Sequence, residues 1–97
     1  MGVGQRLGVI AGSGVGKSVL LDTMVRGADC DIAVVGLIGE RAREVSDFVS
    51  RHMRLEQKRR TVVVAVPSDH AANLRLRGAQ LATSLAEYFR SQGKRVL

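Results

Sequence analysis

The run Ala11-Gly12-Ser13-Gly14-Val15-Gly16-Lys17-Ser18 carries the residue types that phosphate binding requires. It follows a short apolar stretch and leads into a helical pattern. Glycines let the backbone wrap closely around a polyanion. The amides of Gly14 to Ser18 can point inward, and a helix start adds partial positive charge. Lys17 can reach β- and γ-phosphates, and the Ser18 hydroxyl can ligate Mg²⁺. Ala11 stands where the strict phosphate-loop pattern has its first glycine, and alanine suffices if φ is negative there. The bland alternative is a glycine-rich strand-to-helix turn carrying an ordinary surface lysine.

Two further groups fall at predicted strand ends, where a parallel sheet presents its ligands. Gly39-Glu40-Arg41 follows the second apolar run. A carboxylate at Glu40 can polarise a water for attack on a γ-phosphate. It can equally be the acidic first turn of the next helix, favoured by the helix dipole, and pattern leaves both readings open. The third run ends at Pro67-Ser68-Asp69-His70, with Arg75 and Arg77 following. Arg75 could touch a transferred phosphate, although pattern alone favours solvent.

These groups need a frame, and the chain supplies one. Arg6–Ile10 reads as a short strand. Lys17–Arg26 reads as a helix with Leu20, Leu21, Met24 and Val25 inward, Asp22 and Arg26 outside, and Gly27 as the stop. Ile32–Ile38 is continuously apolar, as in a strand covered on both faces. Ala42–Arg54 returns to helical spacing with Val45, Phe48, Val49 and Met53 inward. Thr61–Val66 is a β-branched strand closed by Pro67. Ala71–Gln92 is a long helix with Leu74, Leu81, Ala82, Leu85 and Phe89 on one side, ended by Gly93. Lys94–Leu97 opens a fourth strand. The β-α-β-α-β-α-(β) order predicts an α/β fold with a parallel sheet and flanking helices. The strand that Lys94–Leu97 opens makes residues 1–97 read as part of a larger domain.

Composition narrows the function. The chain has 97 residues, enough for one small domain, with 45% apolar and 25% charged residues. That balance argues against wholesale disorder. Its single cysteine, Cys30, excludes an intrachain disulfide and fits a reducing, cytoplasmic setting. No apolar run approaches the roughly 18 residues of a membrane span, and no signal peptide precedes the glycine-rich turn. The net charge of +6 suggests an anionic partner. Five cations lie between Arg51 and Arg60 (Arg51, Arg54, Lys58, Arg59 and Arg60), a run more typical of a solvated helix end and loop than of a docking surface. Aromatics are scarce (Phe48, Tyr88 and Phe89), which argues against a base-stacking nucleic-acid module. His52 and His70 lack metal-like spacing.

Taken together, Gly4-Gln5-Arg6-Leu7-Gly8 before the phosphate loop, Gly36-Leu37-Ile38-Gly39-Glu40-Arg41-Ala42-Arg43-Glu44-Val45, and Ala86-Glu87-Tyr88-Phe89-Arg90-Ser91-Gln92-Gly93-Lys94 resemble the nucleotide-binding domain of rotary-type ATPases. Within that superfamily the chain is most similar to type III secretion and flagellar export ATPases. Ala11 and the Leu37–Val45 segment favour the export branch over ATP synthase. The resemblance covers essentially all 97 residues, and it implies the P-loop NTPase (RecA-like) fold, with residues 1–97 forming part of a larger nucleotide-binding domain interrupted before the Walker B strand. It implies ATP and Mg²⁺ as ligands, with Gly12, Ser13, Gly14, Val15, Gly16, Lys17, Ser18 and Val19 around the nucleotide. Lys17 becomes the phosphate-binding lysine, Ser18 the Mg²⁺ ligand and Glu40 the carboxylate that orients water. Arg41 supports Glu40 and its rim, and Arg75 lies near the γ-phosphate. The family usually has an acidic residue and prolines after the aspartate, where this chain reads Asp69-His70-Ala71-Ala72.

The resemblance further implies a homo-oligomer, hexameric in the full-length family, that works with an export apparatus, stator and chaperone proteins. Its place is the cytoplasm, with peripheral association at the inner membrane open to it, and no nucleic-acid partner is expected. The segment alone is expected to bind ATP weakly and to turn it over negligibly. The competing readings are an inactive nucleotide-binding or assembly module, an ATP synthase-type motor, and a hexameric helicase-type motor.

Overall fold

A computed structural model describes residues 2–5, 8, 17–52 and 59–97 of the chain. Residues 6, 7, 9 and 10 of the predicted strand over 6–10, the phosphate-loop residues Ala11, Gly12, Ser13, Gly14, Val15 and Gly16, and the predicted inward Met53 lie outside the described residues. The elements are α1 (Lys17–Gly27), β1 (Ala33–Ile38), α2 (Ala42–Asp47) continuing into one π-helical turn (Phe48–His52), β2 (Thr61–Val66) and α3 (Ala72–Ser91). The strands β1 and β2 and the helices α1 and α3 fall where hydrophobic patterning predicts them, to within one residue.

β1 and β2 pair in parallel, with Ala33 opposite Thr61 and Ile38 opposite Val66. The backbone N–H of Ala33 donates to Arg60 O at 2.8 Å on the β2 side. That of Val34 donates to Leu97 O at 2.9 Å on the other edge. Ile32 and Val96 form a parallel bridge there. The C-terminal residues thus run along β1 as a third strand would, and β1 is paired on both sides. Period-two alternation divides its side chains between two layers. Leu37 packs with Phe48, Leu21, Val35, Val45 and Val63 on the α1–α2 face. Gly36 and Ile38 meet α3 on the other, where Ala82 Cβ lies 3.5 Å from the point a Gly36 Cβ would occupy.

Glycine sets the approach of α3. A Cβ on Gly78 would fall 2.5 Å from Val66 Cγ2 and 3.0 Å from Ile38 Cδ1. The helix therefore rests its backbone on the sheet at this point. Burial follows Gly78, Ala82, Leu85 and Phe89, rather than the expected stripe that included Leu74 and Leu81, which are 41% and 52% exposed. Gly93, at φ +80°, ends the helix as predicted. Its N–H donates to Arg90 O at 3.0 Å and that of Lys94 to Phe89 O at 3.1 Å, the paired bonds of a Schellman cap.

Three other expectations need correction. Asp22 is 3% exposed rather than outward, because its carboxylate is neutralised by the Arg26 guanidinium one turn later. Leu20, expected inward, is exposed. The single helix expected over 42–54 is instead α2 plus the π turn. The wider turn rotates the face, so that Phe48 is buried while Val49 is 38% exposed.

The basic run is also not uniformly solvated. Arg60 is partly buried, and its guanidinium donates to Val25 O at 2.7 Å and Cys30 O at 3.0 Å. It caps the Val25 carbonyl in the last turn of α1 and ties down the loop that follows at Cys30. Arg95 ties the C-terminal segment to the loop before β1, donating from its backbone N–H to Asp31 Oδ2 at 2.8 Å and from its side chain to Asp29 Oδ2 at 2.7 Å.

Candidate functional site

Three chain segments converge at the C-terminal ends of β1 and β2. The first is the start of α1, which opens on Lys17 and has no acidic residue in its first turn. Its N-terminal partial charge is therefore uncompensated within the helix. The second is the link Gly39-Glu40-Arg41 between β1 and α2. Gly39 adopts φ +80°, a conformation that glycine takes without strain. Its N–H donates to Val66 O at 2.8 Å, and Glu40 O accepts from Ser68 N–H at 2.9 Å. The backbone carrying Glu40 is thus bonded on both flanks to the end of β2. The third segment is the loop after β2 and the first turn of α3.

Within this rim Lys17 Nζ lies 3.7 Å from Glu40 Oε1. Both side chains line a hollow with Leu21, Leu37, Glu44, Val45 and Phe48. The hollow holds about 10 Å³, about one water, so it gathers charged groups without enclosing a phosphate chain. Its floor is the apolar cluster of Leu37 and Phe48, which makes the local medium less screening than open water. Glu44 belongs to the Gly36–Val45 motif, but no role at the site was expected of it; its place in the first turn of α2, directly after the link that carries Glu40, is the signal that finds it.

Arg75 sits on the same rim. Its Cδ is 3.9 Å from where a Gly39 Cβ would be, so its stem passes beside the turn that carries Glu40. The side chain is exposed, as pattern favoured, and it is also next to the candidate site. Arg41 immediately precedes α2 in extended conformation (φ −66°, ψ 142°) and is exposed. Its carbonyl accepts the Val45 N–H at 3.0 Å, the first bond of the helix. Val19 is an exposed residue of the first turn of α1. The Ser18 side chain, like Gly12–Gly16, lies outside the described groups. The structure therefore brings Lys17, Glu40 and Arg75 to one rim. The donor set there, an ammonium and a guanidinium beside a carboxylate, suits a polyphosphate and an attacking water.

Comparison with known proteins gives one consistent answer. All of residues 1–97 match the ATP synthase alpha/beta family, nucleotide-binding domain. The flagellum-specific ATP synthase of Pseudomonas aeruginosa is 58% identical over 97 residues, which are 100% of this chain and 22% of that protein. Among solved structures, a prototypical ATPase from the type III secretion system of pathogenic bacteria superposes with a TM-score of 0.93 at 49% identity, over 99% of this chain and 28% of that one. The assembled ATPase EscN in complex with its central stalk EscO, from enteropathogenic E. coli, gives a TM-score of 0.92 at 49% identity, over 99% and 24%. The chain spans about a fifth of the length of the curated relatives it matches (22%, 22% and 21%).

Proposed function

Since this chain belongs to the ATP synthase alpha/beta family, through that family's nucleotide-binding domain, we propose that it is a segment of an ATPase that energises protein export by a flagellar or type III secretion apparatus. Relatives at about 50% identity are ATPases of those two systems. The observation that carries the reading is the 3.7 Å approach of Lys17 and Glu40 at the C-terminal rim of a parallel sheet.

In the proposed reaction a water oxygen attacks the γ-phosphorus of ATP in line. The bond to the bridging oxygen breaks, and ADP leaves with the electron pair. Glu40 orients the water and takes its proton. Lys17 binds the β- and γ-oxygens and offsets the charge that develops on them. The backbone of Gly12, Ser13, Gly14, Val15, Gly16, Ser18 and Val19 surrounds the phosphates. Arg75 contacts the γ-phosphate from the Gly39 side, and Arg41 supports the rim that holds Glu40. The Ser18 hydroxyl would hold Mg²⁺, which when bound neutralises charge on the β- and γ-phosphates.

The complete enzyme in this reading is a homo-oligomer, hexameric, with stalk, stator and chaperone partners, in the cytoplasm and peripheral to the inner membrane. The stalk complex of a relative supports the oligomer and one such partner. A helicase-type motor is disfavoured by the Gly39-Glu40-Arg41 segment and by the identity of the relatives. The 97-residue segment alone binds nucleotide weakly and turns it over negligibly, because it carries about a fifth of its relatives' length.

Thermal unfolding with and without Mg·ATP tests the reading. At a tenfold excess over Kd, binding stabilises the chain by about 1.4 kcal/mol. The midpoint should rise in the wild type and stay put in Lys17→Ala. Equal shifts in both proteins, or none in either, would sink the assignment. Robust hydrolysis by the segment, lost in Lys17→Ala, would overturn the negligible turnover.

A further inference from the structure

We infer that Glu40 is a built-in competitor for the phosphate-binding lysine: it pairs with the Lys17 ammonium, and nucleotide must take the ammonium away from it. The inference rests on the proposed phosphate role of Lys17 and adds a regulation of that same site.

Three observations carry it. Glu40 Oε1 lies 3.7 Å from Lys17 Nζ. The carboxylate belongs to a link fastened at both flanks to the end of β2, through Gly39 N–H to Val66 O at 2.8 Å and Ser68 N–H to Glu40 O at 2.9 Å. Glu40 is therefore held in place by the sheet, independently of the helix that Lys17 starts. The two side chains are also 40% and 33% exposed, which makes the pair a weak one that a polyanion can displace.

One ammonium cannot serve the carboxylate and the phosphates equally well. On binding, Lys17 swings to the phosphate oxygens, and Glu40 is released just as a water arrives that needs orienting. The Lys17–Glu40 pairing thus lowers affinity and couples release of the carboxylate to nucleotide entry.

Glu44 supplies the control. It lines the same hollow and carries the same charge, and among the described ion pairs Lys17 is joined to Glu40. General removal of negative charge should act alike at both positions, whereas loss of a competitor should act at Glu40 alone.

The experiment is calorimetric titration of the 97-residue chain with Mg·ADP, in the wild type, Glu40→Gln, Glu44→Gln, Lys17→Ala and Lys17→Ala/Glu40→Gln, with each fold checked by circular dichroism. Glu40→Gln should bind about 1.4- to 5-fold tighter than wild type, the span of an exposed ion pair. Glu44→Gln should bind as wild type does, and Glu40→Gln should bring no gain once Lys17 is alanine. Equal tightening by the two glutamines, or a gain that survives in the Lys17→Ala background, overturns the inference while leaving the phosphate role of Lys17 intact. So does wild-type binding that Lys17→Ala abolishes and Glu40→Gln leaves unchanged. Wild-type binding that Lys17→Ala does not weaken, or no binding by any form, removes the underlying reading and the inference with it. Should Glu40→Gln fail to fold, Glu40→Ala is read the same way.

Discussion

Gly78 on α3 and Val66 at the end of β2 approach so closely that a methyl group on Gly78 would lie 2.5 Å from Val66 Cγ2. This contact sets how near the longest helix comes to the sheet, and it anchors the helix three residues after Arg75. The absence of a side chain at Gly78 is thus tied to the position of a candidate site residue. Ala82 continues the close approach one turn later, 3.5 Å from where a Gly36 Cβ would be.

Gly78→Ala tests the contact. Alanine is the better helix former by about 0.8–1 kcal/mol. Overpacking costs about 1–3 kcal/mol, and Val66 is β-branched with little freedom to turn aside. The clash should win, giving a net loss of about 1 kcal/mol and a midpoint lower by about 4–8 °C. A midpoint equal to or above that of wild type would show that α3 can lift from the sheet without cost.

Arg60→Ala should destabilise the chain by about 1.5–3 kcal/mol, the worth of charge-assisted hydrogen bonds to part-buried carbonyls. The loss concentrates at the end of α1 and in the loop after it, where Val25 O and Cys30 O would lose the guanidinium donor. Arg60→Lys should recover part of it, since an ammonium is one point charge where the guanidinium reaches both carbonyls. Chemical denaturation measures both, and hydrogen exchange at the amides after Gly27 locates the effect. Equal losses in the two variants would mean that only charge matters.

Gly39 has φ +80°, and space alone does not require glycine there, since Arg75 Cδ is 3.9 Å from the missing Cβ. Gly39→Ala should cost about 1–2 kcal/mol through backbone strain, and Gly39→Asn should cost less because asparagine tolerates the left-handed region. Thermal midpoints should rank wild type above Gly39→Asn above Gly39→Ala. Nucleotide affinity should rise from wild type through Gly39→Asn to Gly39→Ala, because the turn carries Glu40, the competitor for Lys17. Loss of stability with no change in affinity would detach the turn from the site.

Asp29→Ala should change stability by less than about 0.5 kcal/mol. The Asp29–Arg95 pair is short at 2.7 Å, but its side chains are 94% and 67% exposed, and pairs of that kind contribute little. Asp31→Ala should cost more, because Asp31 accepts the backbone N–H of Arg95 at 2.8 Å beside the Ile32–Val96 bridge. Denaturant midpoints for the two variants test the ranking.

Much of this molecule can be read from residue order alone. Continuous apolar runs define both strands because strands covered on two faces need no alternation, and β-branched Thr61–Val66 leaves little else to form. Lys17 as a helix opening and Glu40 at a strand end follow from the same local rules, since glycines, caps and strand ends are short-range chemistry. The resemblance of three motifs to export ATPases likewise needs no coordinates. Tertiary structure decided which face of each helix is inside. Leu74, Leu81 and Leu20 satisfy helical periodicity and still lie exposed, because the close approach of Gly78 to Val66 sets the buried stripe of α3 and α1 turns Val25 inward instead. Asp22 is buried because a partner one turn away makes burial tolerable, and periodicity counts only polarity. The sheet edge that pulls Glu40 to Lys17, and the turn that sets Arg75 beside Gly39, depend on contacts between segments far apart in the chain. Local patterning names the chemical groups, whereas the distances among them exist only once the strands have paired.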